Sequence, residues 1–264
     1  VTGVQTCALP IYHCGLNPSA SILNFKVISI SGFKKEDIIL AVREAVDGGV
    51  RVINCSFAPQ IAGPEFQEAF TYAFDRGVIV VGGMPNKDER IVAYPASYEK
   101  AISVTGLNKE LNARGEYAYG DYINFAMPAK KINTTDIPNT NGNYTNPSGT
   151  SFSTPIVTAI VSRLLSNDQT MTREQVLEKL SQHTIQLPDG GSETGYGRID
   201  AKSLALSYVD IDEKKISTVI NNEEVILEFK IVKDKETNEV TRKVLEYMWI
   251  GTKKFPVHKE VSFE

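Results

Sequence analysis

The stretch Gly149-Thr150-Ser151-Phe152-Ser153-Thr154-Pro155 separates a loop rich in Gly, Asn and Thr from the apolar segment Ile156–Leu165. The pattern predicts a buried helix whose first turn carries Ser151, where backbone N–H groups point outward without intrahelical partners. A serine hydroxyl becomes a nucleophile when it is held beside a base and beside donors for a developing oxyanion. Gly149 would let a substrate approach closely, and Pro155 suits a first helical turn. A plain Ser/Thr cap before a core helix is the alternative interpretation of this stretch.

Strand and helix signals alternate along the chain before this stretch. Apolar residues recur at helical spacing in Lys35–Asp47 and in Pro64–Arg76. Runs rich in apolar or β-branched residues are strand candidates, namely Ser21–Ile28, Val50–Ser56, Val78–Val81, Ala101–Thr105 and Tyr122–Phe125. Continuous apolar strands that alternate with helices predict an α/β fold, in which helices cover both faces of a mainly parallel sheet.

The C-terminal part of the chain changes in composition. Thr172-Arg173-Glu174-Gln175 is a capping box for a further helix, and Gly195–Ala201 leads into a short one. From Val209 the sequence becomes dense in Glu, Lys and Asp, and Val225–Val232 alternates apolar and charged residues. We therefore expect a main domain over residues 12–208 and a small β-rich appendage over residues 209–264.

The first residues, Val1–Ile11, read as the translation of a sequencing-library adapter rather than as protein. A natural leader of mixed polarity is the alternative. On the adapter interpretation, the native protein continues upstream of Tyr12 and Cys7 is not a native cysteine. Cys14 and Cys55 are then too few for a disulfide framework or a metal site.

Composition excludes several classes of function. The chain of 264 residues has a net charge of -4, so nothing indicates a nucleic-acid or membrane-surface partner. Its most apolar stretches, around Val78–Gly83 and Ile156–Leu165, are shorter than the roughly 20 residues that a membrane span needs.

A set of collinear motifs resembles one protease family, the subtilases. Ser148–Pro155 (SGTSFSTP) is similar to the family's nucleophile motif, and the order and spacing of the other matching segments agree over Gly15–Ala201. These segments are Gly15–Val27 (GLNPSASILNFKV), Val52–Phe57 (VINCSF), Gly77–Asn86 (GVIVVGGMPN), Tyr94–Tyr98 (YPASY), Ile102–Gly106 (ISVTG) and Gly195–Ala201 (GYGRIDA). The resemblance implies the family's three-layer α/β fold, incomplete here at the N-terminus, followed by the appendage.

The resemblance also implies roles for individual residues. Ser151 falls on the nucleophile, and Asn86 on the asparagine whose amide donates to the oxyanion. The implied substrate-binding residues are a strand edge that pairs with a peptide and the lining of the adjoining pocket: Ser56, Phe57, Ala58, Gly82, Gly83, Met84, Gly149 and Thr150. Without the resemblance, Asn86 would be a turn residue after Pro85.

Two positions depart from the family pattern. Pro85 replaces the glycine before the oxyanion asparagine. Proline removes a backbone N–H and fixes φ, which can change the direction in which the Asn86 amide points. Met127-Pro128-Ala129 replaces the family's APG.

The catalytic Asp and His of the family have no counterpart in the sequence. Of the three histidines, His13 is interpreted as a loop residue, His183 as the end of a helix and His258 as part of the appendage. The missing motifs would fall upstream of Gly15, so we expect truncation and an almost inactive polypeptide.

The predicted function is therefore that of a serine endopeptidase acting on peptides or proteins. The resemblance implies a secreted or cell-surface protein and no cofactor for the chemistry, and it allows a structural calcium ion at an unassigned position. A catalytically inactive module that binds peptides along Ser56–Ala58 is the alternative. A third possibility is that the appendage dominates as an adhesion or docking element.

Overall fold

The structure is a computed structural model that describes residues 16–29, 32–60, 63–113, 115–135, 144–187, 194–220, 223–237, 239–250 and 252–260. Val1–Ile11, His13 and Cys14, which were interpreted above, lie outside these residues. The chain divides into two compact units, one ending at Asp200 and one beginning at Ala201. The expected boundary lay a few residues later, at Val209.

The helices of the first unit are α1 (Lys35–Asp47), α2 (Pro64–Asp75), α3 (Thr150–Asn167) and α4 (Arg173–Ser181). Its strands are β1 (Ile28–Ser29), β2 (Gly32–Phe33), β3 (Val52–Cys55), β4 (Ile79–Gly83), β5 (Ile102–Leu107), β6 (Phe125–Pro128), β7 (Thr134–Thr135), β8 (Tyr144–Thr145), β9 (Thr184–Ile185) and β10 (Arg198–Ile199). The second unit comprises α5 (Ala201–Leu206), β11 (Val209–Ile220), β12 (Glu223–Asp234), β13 (Val240–Ile250) and β14 (Lys253–Glu260).

A parallel sheet in the order β3-β4-β5-β6 forms the centre of the first unit. On one face, Ile53 and Val80 pack with the buried side of α1 and α2. On the other face, α3 contacts all four strands. The predicted α/β fold with helices on both faces of a parallel sheet is therefore confirmed.

Local signals explain where the helices begin and end. The apolar residues Ile38 and Val42 of α1 are fully buried, as their helical spacing predicts. In α4 the side chain of Thr172 accepts from the Gln175 N–H, and the Gln175 side chain accepts from the Thr172 N–H, so the predicted capping box is present.

The strand expected over Ser21–Ile28 does not form. The segment is irregular up to Val27, and β1 begins only at Ile28, where it pairs with β2 in a two-residue ladder. Ile22 and Leu23 are 45% and 46% exposed. An apolar run becomes a strand only where its backbone finds a neighbouring strand, and within the described residues this segment has none beyond that ladder.

The second unit is built on an antiparallel sheet in the order β11-β12-β13-β14. The alternation in Val225–Val232 is that of a strand with two different faces, and it falls inside β12. The polar turn after Lys233 links β12 to β13, where Asp234 accepts from the backbone of Glu236 and Thr237. None of the described helices is long and apolar enough to cross a membrane.

Candidate active site

Ser151 lies in the first turn of α3, two residues after a glycine with a positive φ. Gly149 has φ 144° and ψ 156°, a conformation that side chains with a Cβ rarely adopt. A Cβ built on Gly149 would lie 3.2 Å from Asn86 Nδ2. The φ of Gly149 therefore favours glycine, and the position also lies close to the Asn86 carboxamide.

The Asn86 carboxamide is oriented by the start of α3. Its Oδ1 accepts a hydrogen bond from the Thr150 N–H at 2.8 Å. Because a carboxamide has one oxygen and one NH₂ group, fixing the oxygen directs Nδ2 as a donor. Asn86 is exposed, so this donor is accessible. The neighbouring N–H of Ser151 belongs to the first helical turn, which intrahelical bonding leaves unused.

Pro85 does not prevent this arrangement. The Pro85 carbonyl accepts from the Ala118 N–H at 3.1 Å, which ties the segment to the rest of the unit. The missing N–H of Pro85 thus leaves Asn86 hydrogen-bonded to the Thr150 N–H, at the start of the helix that also carries Ser151.

Thr150 and Met84 anchor the helix start to the end of β4. Thr150 Oγ1 donates to the Met84 carbonyl at 2.6 Å, and Thr150 is 4% exposed. The Thr150 carbonyl in turn accepts from Thr154 Oγ1 at 2.8 Å. Met84 is 1% exposed and packs with Ala96.

Two glycines let β4 approach its neighbours closely. A Cβ on Gly82 would lie 2.7 Å from the Cα of Ala96, and a Cβ on Gly83 would lie 2.5 Å from Thr154 Oγ1. Both glycines are buried. That Gly82, Gly83 and Met84 line a pocket for substrate stays a prediction.

Ser56, directly after β3, is joined to Ser151 by two reciprocal hydrogen bonds. Ser151 Oγ donates to the Ser56 carbonyl at 3.3 Å, and Ser56 Oγ donates to the Ser151 carbonyl at 3.1 Å. Phe57 is 7% exposed and Ala58 is half-buried, so the predicted peptide-binding edge is partly covered. A backbone carbonyl accepts a hydrogen bond but cannot remove the Ser151 proton, so nucleophilic chemistry requires a base from another group.

The described histidines are held by other parts of the fold. The His183 N–H donates to the Leu180 carbonyl at 3.0 Å, and its carbonyl accepts from the Asp200 N–H at 2.8 Å, just after α4. His258 lies in β14, where its ring packs against Tyr247 with centroids 5.8 Å apart.

Cys55, next to Ser56, is a buried free thiol. Burial raises the pKa of the Cys55 thiol to about 12. The group is therefore neutral at physiological pH and does not supply a thiolate nucleophile beside Ser151.

No group of three or more His, Cys, Asp or Glu side chains is placed to hold a metal ion within the part of the chain that the structure describes. The calcium site that the resemblance implies stays a prediction.

Sequence reasoning missed two polar residues that support the site. Asn54 lies in β3 and is 7% exposed, and its Nδ2 donates to Ser56 Oγ at 3.0 Å. Thr158 Oγ1 donates to Asn54 Oδ1 at 2.8 Å. The available signal was a polar residue within each of two mainly apolar segments, Val52–Cys55 and Ile156–Leu165.

The sequence matches a known family over most of its length. A sequence model described as "Subtilase family" matches residues 3–198. Thermitase of Thermoactinomyces vulgaris is 28% identical over 188 residues, which cover 71% of this chain and 66% of that protein. Subtilisin DY of Bacillus licheniformis is 27% identical over 180 residues, covering 66% and 65%. The minor extracellular protease Epr of Bacillus subtilis is 25% identical over 195 residues, covering 72% and 30%. The chain thus spans 30% to 66% of the length of these relatives.

Solved structures agree on the fold. The protease domain of PatA superposes with a TM-score of 0.65 at 19% identity, covering 74% of each chain. A lanthipeptide protease superposes with a TM-score of 0.64 at 22% identity, covering 73% of this chain and 72% of the other. At such identities the likeness establishes the architecture and leaves activity to be argued from the site.

Proposed function

The chain belongs to the subtilase family, and on that premise we propose that its parent protein is a serine endopeptidase with Ser151 as the nucleophile. The observation that supports the proposal is the hydrogen bond that holds the Asn86 carboxamide at the start of α3, at the residue before Ser151. There the Thr150 N–H holds Asn86 Oδ1 at 2.8 Å and leaves the amide hydrogens available.

In the proposed reaction, Ser151 Oγ attacks the carbonyl carbon of the cleaved peptide bond. The resulting oxyanion accepts hydrogen bonds from Asn86 Nδ2 and from the Ser151 N–H, which are stronger as the negative charge develops. A histidine removes the Ser151 proton and then protonates the leaving amine, and a carboxylate orients that histidine. Water hydrolyses the acyl-enzyme by the same steps and regenerates Ser151.

We propose that the histidine and the carboxylate come from residues that precede Tyr12 in the natural protein. The chain of 264 residues is then expected to be nearly inactive by itself. Subtilisins that lack the triad residues still accelerate hydrolysis about 10³–10⁴-fold over the reaction in water. We expect the rate acceleration by this chain not to exceed that range.

The proposed substrate is a peptide or protein segment in extended conformation. It would pair with the backbone at Ser56–Ala58, next to the nucleophile. A role outside the cell is part of the proposal, since a relative such as the minor extracellular protease Epr is named for that location. A structural calcium ion remains part of the proposal without assigned ligands.

The test is to sequence the gene across the Tyr12 junction, express the full-length protein, and treat it with a fluorophosphonate probe. We expect upstream motifs similar to DSG and HGTHV, and covalent labelling that maps to Ser151. Ser151→Ala should abolish labelling, whereas Ser166→Ala, in an exposed part of α3, should leave it intact. An upstream sequence that contains neither motif would overturn the proposal, as would labelling that survives Ser151→Ala.

The second candidate is an inactive module that binds peptides. It is favoured by one observation, the hydrogen bond of Ser151 Oγ to a carbonyl rather than to a base. Such a protein would bind a peptide at Ser56–Ala58 with unchanged affinity in Ser151→Ala and would release no cleaved product.

A further inference from the structure

We propose that Thr158 is a positioning residue for the nucleophile, acting on Ser151 through Asn54 and Ser56. The inference rests on the proposed function, because it concerns the alignment of Ser151 for attack. Thr158 lies two helical turns after Ser151 in α3, and its hydroxyl lies at the far end of a chain of three hydrogen bonds that ends on the Ser151 carbonyl.

The Ser151 end of this chain is a backbone carbonyl that has no hydrogen-bond donor within the helix. In an α-helix the Ser151 carbonyl would accept from the N–H of the residue four positions later, which is Pro155. Proline carries no N–H, so that donor is missing. Ser56 Oγ takes its place and donates to the Ser151 carbonyl at 3.1 Å.

The hydrogen bond from Ser56 Oγ to the Ser151 carbonyl determines the donor and acceptor of the other two bonds. A carbonyl only accepts, so the single proton of the Ser56 hydroxyl is committed to Ser151. Ser56 Oγ must then accept from Asn54, which places Nδ2 at 3.0 Å and turns Oδ1 toward Thr158. Oδ1 only accepts, so Thr158 Oγ1 donates to it at 2.8 Å. A hydroxyl at position 158 thus orients the Asn54 carboxamide that holds the Ser56 hydroxyl in place.

The surroundings favour a stiff connection. Asn54 is 7% exposed and lies in β3, so few water molecules compete for its carboxamide. Ser56 and Thr158 are half-buried. The Ser56 carbonyl also accepts from the Ser151 hydroxyl. A shift of Ser56 would therefore disturb the hydrogen bonds of both the Ser151 hydroxyl and the Ser151 carbonyl.

Thr158 Oγ1 has a second acceptor in reach, the Thr154 carbonyl at 3.0 Å. A bond of this kind, to the carbonyl one turn earlier, is common for helical Ser and Thr and serves the helix alone. Ser166 makes such a bond to the Ser162 carbonyl at 2.9 Å. Ser166→Ala is therefore the matched control for loss of a helix back-bond without loss of the Asn54 contact.

The experiment measures kcat and KM of the full-length protein on a fluorogenic peptide for Thr158→Val, Thr158→Ser and Ser166→Ala. Valine keeps the shape of threonine and removes the hydroxyl, whereas serine keeps the hydroxyl. We expect Thr158→Val to lower kcat about tenfold with KM changed less than about twofold, a smaller loss than the roughly 10²-fold that a 1 Å misplacement can cause. Thr158→Ser and Ser166→Ala should keep the parent kcat.

Parent kcat in Thr158→Val would overturn the inference, as would an equal loss in Thr158→Ser or in Ser166→Ala. If Thr158→Val does not fold, Thr158→Ala takes its place with the same expectation, and failure of both to fold would show a structural role instead. Failure of the proposed function is distinct, because the parent protein would then lack turnover that depends on Ser151.

Discussion

One hydrogen bond fixes the orientation of the Asn86 side chain. The Thr150 N–H engages its oxygen at 2.8 Å, so its amide hydrogens are directed away from Thr150. The orientation therefore favours the proposed donor role over that of a turn residue after Pro85.

Removal of the Asn86 amide should reduce turnover more than it reduces substrate binding. We expect Asn86→Ala and Asn86→Asp in the full-length protein to lower kcat about 10²–10³-fold, the loss seen when the equivalent donor is removed from a subtilisin. KM should change little, because the oxyanion forms only during the reaction. Steady-state kinetics on a peptide substrate measures both constants.

Asn86→Asp is the sharper of the two variants. It keeps an oxygen that can accept from the Thr150 N–H, but it replaces the amide NH₂ by a second carboxylate oxygen and adds a negative charge beside the developing oxyanion. A normal kcat in Asn86→Asp would contradict the donor role, whatever the result for Asn86→Ala.

The residues of the site differ in how far sequence could predict them. Ser151 and Asn86 were predicted because each lies in a local motif that resembles a family. Asn54 and Thr158 lie 104 positions apart, and their hydrogen bond depends on α3 crossing β3. Local patterns in a single sequence carry no information on such a pair.

At the scale of elements, sequence patterns predicted helices correctly, because the hydrogen bonds of a helix and of its caps lie within one short segment. The bounds of α1 and the capping box of α4 follow from spacing and from caps. The strand predicted at Ser21–Ile28 was wrong because a strand also needs a partner, which no local pattern reveals. The strand predicted at Tyr122–Phe125 begins instead at Phe125, where the ladder with β5 starts at Val104.

The antiparallel sheet of the second unit carries a three-membered ion-pair cluster. Glu228 on β12 pairs with Lys215 on β11 at 2.6 Å and with Lys254 on β14 at 2.9 Å. Hydrogen bonds from Lys215 and Lys254 lower the pKa of Glu228 from 4.5 to about 2.

This depressed pKa predicts a loss of stability in acid. The unfolded chain binds the proton more readily, so the contribution of Glu228 is present above pH 4.5 and is lost as the pH falls toward 2. Glu228→Gln should flatten the dependence of the unfolding midpoint on pH in this window. Urea unfolding followed by fluorescence of Trp249, the single tryptophan, reports on this sheet.

Glu239→Gln is the matched control, because Glu239 is an exposed glutamate just before β13. It should leave the pH dependence unchanged. An unfolding midpoint that falls equally between pH 4.5 and 2 in the parent and in Glu228→Gln would contradict the assignment of the shift to this cluster.

At the scale of the whole molecule, the chain combines a subtilase fold with a separate β-rich unit. The α/β class followed from alternating strand and helix signals. The β-rich character of the C-terminal part followed from its composition, but the order of its four strands could not be predicted, because a local alternating pattern does not specify which strands pair.

The central claim is that Ser151 and Asn86 act on one oxygen atom. The most direct measurement is a crystal structure of the full-length protein after reaction with a fluorophosphonate. We predict phosphorus bonded to Ser151 Oγ, with one phosphoryl oxygen about 2.7–3.1 Å from both Asn86 Nδ2 and the Ser151 backbone nitrogen. A phosphoryl oxygen directed to solvent, with Asn86 Nδ2 bonded elsewhere, would contradict the account.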